Sequence, residues 1–216
     1  MPHKHSTPKT PSQTKAPKRA PSPGHGPGVL RRPRSTQGEP AAGTSPAAGP
    51  HASGLKLHLG CGPFKLDGWK NYDVGDVDIT KPLRFETGSV RYIFAEHLIE
   101  HVPYLDAMRF FAEAFRVLEV EGVLRLAFPD VARLSTSCGE ELRHLRKVML
   151  SFGHEMAWSQ LLMHRALVVA GFEPLQVREC AYGESDHKAL RNVEQHGKIS
   201  RWARAETTIL EAQKYE

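Results

Sequence analysis

Apolar and polar residues alternate at Leu55, Lys56, Leu57, His58 and Leu59, the two-residue period of a strand with one buried face. That strand runs straight into Gly60, Cys61, Gly62 and Pro63. Short strands are predicted at residues 69–74 and 90–95. The period then changes. Leu105, Met108, Phe111, Phe115 and Leu118 recur at three- and four-residue steps, with Asp106, Arg109, Glu113 and Arg116 between them. This predicts an amphipathic helix started by Pro103 and stopped near Gly122. Residues 122–128 read as an apolar strand ending at Pro129 and Asp130. Ser137 with Glu140 has the spacing of a capping box and predicts a helix to about Leu150. A further helix is expected over residues 155–170, closed by Gly171, with strands at 173–180 and 206–211. Strands alternating with helices specify an α/β sheet covered by helices on both faces.

Before residue 54 no such pattern exists. Residues 1–53 hold 11 of the 16 prolines, eight basic side chains and one acid, Glu39. Their charge is +7, against −2 for the remaining 163 residues, so the overall +5 belongs to the arm. An arm this poor in aliphatic residues cannot offset the cost of ordering itself and is expected to be disordered. It suits contact with anionic surfaces. The four histidines in it, His3, His5, His25 and His51, lack metal-site spacing. The division is a 1–53 basic, Pro-rich arm and a 54–216 domain whose acidic balance excludes a dedicated nucleic-acid site.

Three scattered cysteines, Cys61, Cys138 and Cys180, make neither a disulfide framework nor a Cys-x-x-Cys metal pair. They fit a reducing, cytoplasmic compartment. No apolar run reaches the ~18–20 residues of a membrane span, and no secretory h-region follows the basic N-terminus.

The chemistry concentrates after the first strand. Gly60 and Gly62 permit close approach of a ligand to the backbone at a strand's carboxyl end, where open α/β sheets bind nucleotides. A dinucleotide fingerprint would need glycine at position 65, which is lysine, and an acid about 20 residues on. Asp73 stands only 11 residues beyond Gly62, so a mononucleoside-type ligand is favoured over NAD.

The run from Leu57 to Pro63, then Gly68 to Asp73, Asp78 to Leu83 and Glu86 to Val90, resembles class I S-adenosylmethionine (SAM)-dependent methyltransferases. Within them it is most similar to the small type-11-like bacterial enzymes. The resemblance continues through Ala95 to His101, Phe115 to Leu118, Phe128 to Asp130, Ala170 to Phe172, Gly183 to Ser185 and Asn192 to Glu194. It implies a compact Rossmann-like fold, SAM as methyl donor, and a small-molecule or sugar-type acceptor. By the same resemblance Leu59, Gly60, Cys61, Gly62, Asp73, Asp78, Glu96 and His97 would contact the donor, with Asp73 on the ribose hydroxyls and Asp78, or alternatively Asp76, on the adenine amino group. Backbone amides of the glycine turn suit the donor's carboxylate. Methyl transfer needs alignment and water exclusion, and a base only for acceptors such as hydroxyls. His101, His97 and Asp130 are the base candidates.

Two departures and two rivals accompany this reading. The turn usually reading Lys-Pro-Gly-Gly is here Glu119, Val120, Glu121 and Gly122, followed by Val123, and the segment from Asp130 to His154 is short for an acceptor-binding insert. A catalytically silent SAM-fold module used for binding is therefore an alternative. The second rival is a zinc hydrolase. His97, Glu100 and His101 match the H-x-x-E-H pattern of inverted zinc peptidases. It would need a third ligand such as Glu173 or Glu179, and Pro103 leaves barely one helical turn to hold the pair, so no metal is expected.

Overall fold

The computed structural model describes residues 54–137, 147, 152–199 and 201–216. The basic arm expected over 1–53 lies outside the described residues. Six strands form one sheet: β1 (Lys56–Leu59), β2 (Lys70–Tyr72), β3 (Val90–Glu96), β4 (Leu118–Pro129), β5 (Val177–Cys180) and β6 (Thr207–Gln213). Their order is β2-β1-β3-β4-β6-β5. The first four are mutually parallel, and β6 enters antiparallel between β4 and β5. A dinucleotide-binding sheet extends instead as parallel strands on both sides of its switch point.

Period two sorts the strands onto two faces. Ile93, Ala95, Leu124, Leu126, Phe128, Leu210 and Ala212 pack on one face with helices α1 (Tyr104–Val117) and α3 (Gln160–Val169). Between those helices in sequence lies α2 (Val131–Ser137). Phe94, Ala127 and Ile209 occupy the other face, beneath Val193 and the partly buried Trp69 and Tyr182. Two short helices, α4 (His196–Ile199) and α5 (Arg201–Glu206), precede β6.

The helix after Pro103 forms, but its buried stripe is Ala107, Phe110, Phe111, Ala114 and Val117, and Leu105 is 67% exposed. Small alanines let the helix approach the sheet closely, a role that weighting large apolar residues misses. The helix expected over 155–170 begins only at Gln160, capped by Ser159, whose Oγ accepts from Leu162 N. Residues 155–158 bond elsewhere: Glu155 N and Met156 N donate to Glu100 O, and buried Trp158 bridges to Asp130. Ser137 falls within α2, which Asp130 starts by accepting Ala132 N at 2.8 Å, and its capping-box partner Glu140 lies outside the described residues. The rest of the segment expected as helix to Leu150 is described only at Lys147. The 119–122 turn is a kink inside β4, paired to β3 on both sides (Val90 with Leu118, Tyr92 with Val123). Glu121 there has φ 62°, and a Cβ on Gly122 would meet Glu119 O at 2.8 Å. The strand expected at 173–180 is shortened to β5 by a 3₁₀ turn, Pro174–Gln176.

Residues 60–69 link two parallel neighbours without a helix, shorter than the usual crossover of a dozen or more residues. Asn71 makes this possible. Its Oδ1 accepts Leu66 N at 2.8 Å, and its Nδ2 donates to Leu66 O at 3.0 Å and Trp69 O at 3.1 Å. Cys61 N donates to Tyr72 O at 3.1 Å, so the glycine turn is tied to the end of β2.

Candidate functional site at the carboxyl ends of the parallel strands

The turn after β1 and the residue after β2 meet. Gly60 (φ 67°) and Gly62 (φ 48°) are left-handed, but their surroundings differ. A Cβ on Gly60 would lie 3.0 Å from Leu98 Cδ1, whereas one on Gly62 would meet nothing within 4 Å. Gly60 is therefore crowded by the Leu98 side chain, whereas Gly62 faces open space. Leu59 contributes its side chain to the core, leaving only backbone for a ligand. Cys61 is buried, and burial pushes its thiol up from the ordinary value, which suits packing and opposes nucleophilic use.

Asp73 follows Tyr72 at the end of β2. Its backbone N–H donates to Asp76 Oδ2, while its carboxylate has no hydrogen-bond partner among the described residues. Beside it Val74 is 94% exposed, an apolar residue that sequence reading passed over. Asp78 is engaged in its own turn, accepting Thr80 N and Oγ1 at 3.0 and 2.6 Å and pairing with Lys81. Bonds from Lys81 and Thr80 hold that carboxyl down at about 2.

The end of β3 carries the second half of the site. Glu96 is buried and accepts Gln195 N at 2.8 Å and His196 N at 3.1 Å, with His196 Nδ1 at 3.1 Å. Burial alone would raise its carboxyl; the contacts from His196 and Gln195 outweigh that and hold it below the ordinary range. The Glu96 contact in turn raises His196. Glu96 is thus occupied within the protein, and its contribution to the site is to seat His196. His97 has φ 50°, uncommon for a residue with a side chain, and its N–H bonds to Ala127 O. Its ring stacks 4.6 Å from that of His196, with Nε2 3.1 Å from Thr207 Oγ1 and Nδ1 3.2 Å from Glu100 Oε1.

His101 is exposed at the end of a 3₁₀ turn, Ile99–His101, and lies against His154. His97 and His101 therefore converge with His154 and His196, two histidines that sequence reading did not single out. They lie about 50 and 100 residues away, and no local spacing links them. Asp130 stands apart. Its carboxylate accepts Ala132 N, Thr208 Oγ1 and Gln160 N, at 2.8, 2.8 and 3.1 Å. Successive residues of β6 face opposite ways, so Thr207 holds His97 on one face while Thr208 holds Asp130 on the other. The carboxylate of Asp130 is spent on capping α2 and joining it to α3, which leaves it poorly placed as a base.

Beneath this convergence is a buried charge triad. Arg125 on β4 donates through Nε to Glu194 and through Nη1 to Glu211, its cross-strand neighbour on β6. It anchors Glu194, and the next two residues supply the amides on Glu96. A pocket of about 460 Å³, lined by Arg133, Cys180, Tyr182, Arg204 and Thr207, adjoins the His97 side.

No family model and no curated protein matches the sequence. Among solved structures, a SAM-dependent methyltransferase from Archaeoglobus fulgidus matches with TM-score 0.50 at 11% identity, over 76% of this chain and 87% of its own. One from Mesorhizobium loti matches at 0.47 and 12%, over 74% and 90%, and one from Thermotoga maritima at 0.48 and 18%, over 74% and 82%. The sheet order and the Archaeoglobus match agree: the described domain has the fold of the class I SAM-dependent methyltransferases.

Proposed function

We propose that the chain binds SAM against the turn after β1 and transfers its methyl group to a small-molecule or sugar-type acceptor. The observation that carries this reading is the Asp73 carboxylate, without a hydrogen-bond partner among the described residues, beside a glycine turn left open at Gly62. A carboxylate with both oxygens available matches a ribose diol, and the turn's N–H groups suit the donor's own carboxylate. Val74 offers an apolar surface to the adenine ring. Bound there, SAM supplies an electrophilic methyl group on a sulfonium.

The protein's own contribution is alignment and one proton relay. The Nδ1 of His97 faces Glu100, and its Nε2 faces Thr207 at the wall of the 460 Å³ pocket. With the proton on Nδ1, Nε2 accepts, and an acceptor hydroxyl in place of Thr207 would give its proton to that atom. The pocket volume falls within the range of small-molecule sites.

Isothermal titration with SAM tests the donor half. Wild type should bind, and Asp73→Ala should lose about 30- to 150-fold in affinity, equivalent to about 2–3 kcal/mol for hydrogen bonds to a charged group. Unchanged affinity would remove Asp73 from the ribose role. No binding to wild type at millimolar SAM would favour a silent binding module. Labelled SAM with fractionated cell extract would then identify the acceptor. No helix among the described residues is long and apolar enough to cross a membrane.

A further inference from the structure

Glu100, His101 and His154 form a cluster beside His97, whose Nδ1 faces the same Glu100 carboxylate. Glu100 is 1% exposed, and neither of its carboxylate oxygens accepts a hydrogen bond among the described residues. Its polar neighbours are imidazoles: His97 Nδ1 lies 3.2 Å and His154 Nε2 4.0 Å from Oε1. His101 stands edge-on to His154, with ring centroids 4.7 Å apart and planes at 83°. One donor atom from each of Glu100, His101 and His154 lies within 4.8 Å of the other two. The buried Nδ1 of His154 also lacks a hydrogen bond.

The cluster is held together by its backbone. Glu155 N and Met156 N donate to Glu100 O at 2.8 and 3.1 Å, fixing the loop that carries His154 to the turn that carries Glu100 and His101. An ionised carboxylate removed from water needs a compensating cation or hydrogen bonds. Two imidazoles and one carboxylate are a donor set suited to zinc and its first-row neighbours, whereas magnesium and calcium prefer oxygen alone. Donors about 2.0–2.2 Å from a tetrahedral ion lie about 3.4 Å from one another. The cluster must therefore contract, which would bring the exposed His101 ring, whose Nδ1 lies 3.3 Å from Gly153 O, inward.

We infer that Glu100, His101 and His154 bind a zinc-like divalent ion and leave its fourth position open. His97, touching the same carboxylate through Nδ1, is an orienting partner. This set differs from the H-x-x-E-H reading, in which His97 and His101 are ligands and Glu100 the base. Thr207 engages Nε2 of His97, and it is His154 that approaches Glu100 from a distant loop. The inference does not depend on SAM binding.

The test uses the metal alone and the full chain. Zinc is titrated at neutral pH in competition with a chromophoric chelator. Wild type should hold one equivalent at submicromolar affinity. Glu100→Gln and His154→Ala should each weaken it about 100-fold or more, and His164→Ala should not. Folding of each variant is checked by near-ultraviolet circular dichroism. Cobalt substitution supplies a readout on wild type, so an unfolded variant does not leave the matter open: intense visible bands of a four-coordinate nitrogen–oxygen site are expected. Absence of a submicromolar equivalent would overturn the inference. So would unchanged affinity in folded Glu100→Gln and His154→Ala, which would assign the ion elsewhere, for instance to the arm histidines. Cobalt bands from thiolate or six-coordinate ligation would also overturn it.

Discussion

Replacing Arg125 with leucine should destabilise the domain heavily and loosen the wall of the candidate site. Arg125 and Glu194 are fully buried and Glu211 nearly so, with one guanidinium serving both carboxylates. Leucine leaves two carboxylates away from water with no cation. Removing one member of a buried ionic group costs about 3–5 kcal/mol. Nη2 of Arg125 and Oε2 of Glu194 lack hydrogen-bond partners among the described residues, which places the expected loss toward the lower end of that range. At a urea slope of about 2 kcal/mol/M, the midpoint should fall by about 1.5–2.5 M. Urea unfolding followed by fluorescence, with Trp158 in the core and Trp69 on the opposite face, measures this. A loss below about 1 kcal/mol would refute the reasoning, because the carboxylates would then be finding water or protons at little cost. Replacing all three residues by leucine should recover most of the loss, since an apolar substitute for a whole buried ionic group is often neutral.

Gly60→Ala and Gly62→Ala should separate packing from ligand access. Both incur about 1–2 kcal/mol of left-handed strain, but only Gly60→Ala crowds Leu98, so it should be the less stable of the two. Gly62→Ala should weaken SAM binding; a Gly62→Ala protein with native SAM affinity would argue against an open backbone seat. For the Glu96–His196 pair, the depressed Glu96 contribution is present above 4.5 and lost as pH falls through its lower folded value. The raised His196 contribution is complete below 6.5 and lost as pH rises through its higher folded value. The stability advantage of wild type over His196→Gln should therefore be greatest between pH 4.5 and 6.5 and shrink above it. An advantage that grew on going alkaline would contradict the pairing.

How far the sequence could be read depended on how local each feature was. The alternation at residues 55–59 located β1, and Pro103 located the start of α1, because periodicity and fixed proline φ act within a few residues. The expected helix start at residue 155 came out five residues early. The amides of Glu155 and Met156 bond to Glu100 O, a partner more than 50 residues away. No periodicity announced α2: Asp130 starts it, and the same carboxylate accepts Thr208 Oγ1 and Gln160 N from distant segments. At residues 155–156 long-range hydrogen bonds outweighed a local propensity worth about 1 kcal/mol.

By itself the sequence determined the α/β alternation, the glycine turn with Asp73 behind it, and the split between a basic arm and an acidic domain. These are properties of neighbouring residues and of composition. Only the tertiary structure decided which candidates are available for chemistry. It occupied Asp130 and Asp78 in caps and turns, seated Glu96 against His196, left the Asp73 carboxylate unbonded among the described residues, and brought His154 and His196 to His101 and His97. Whether a polar group is spent or available depends on partners contributed across the sheet and by distant loops, and burial forces each such group to find one.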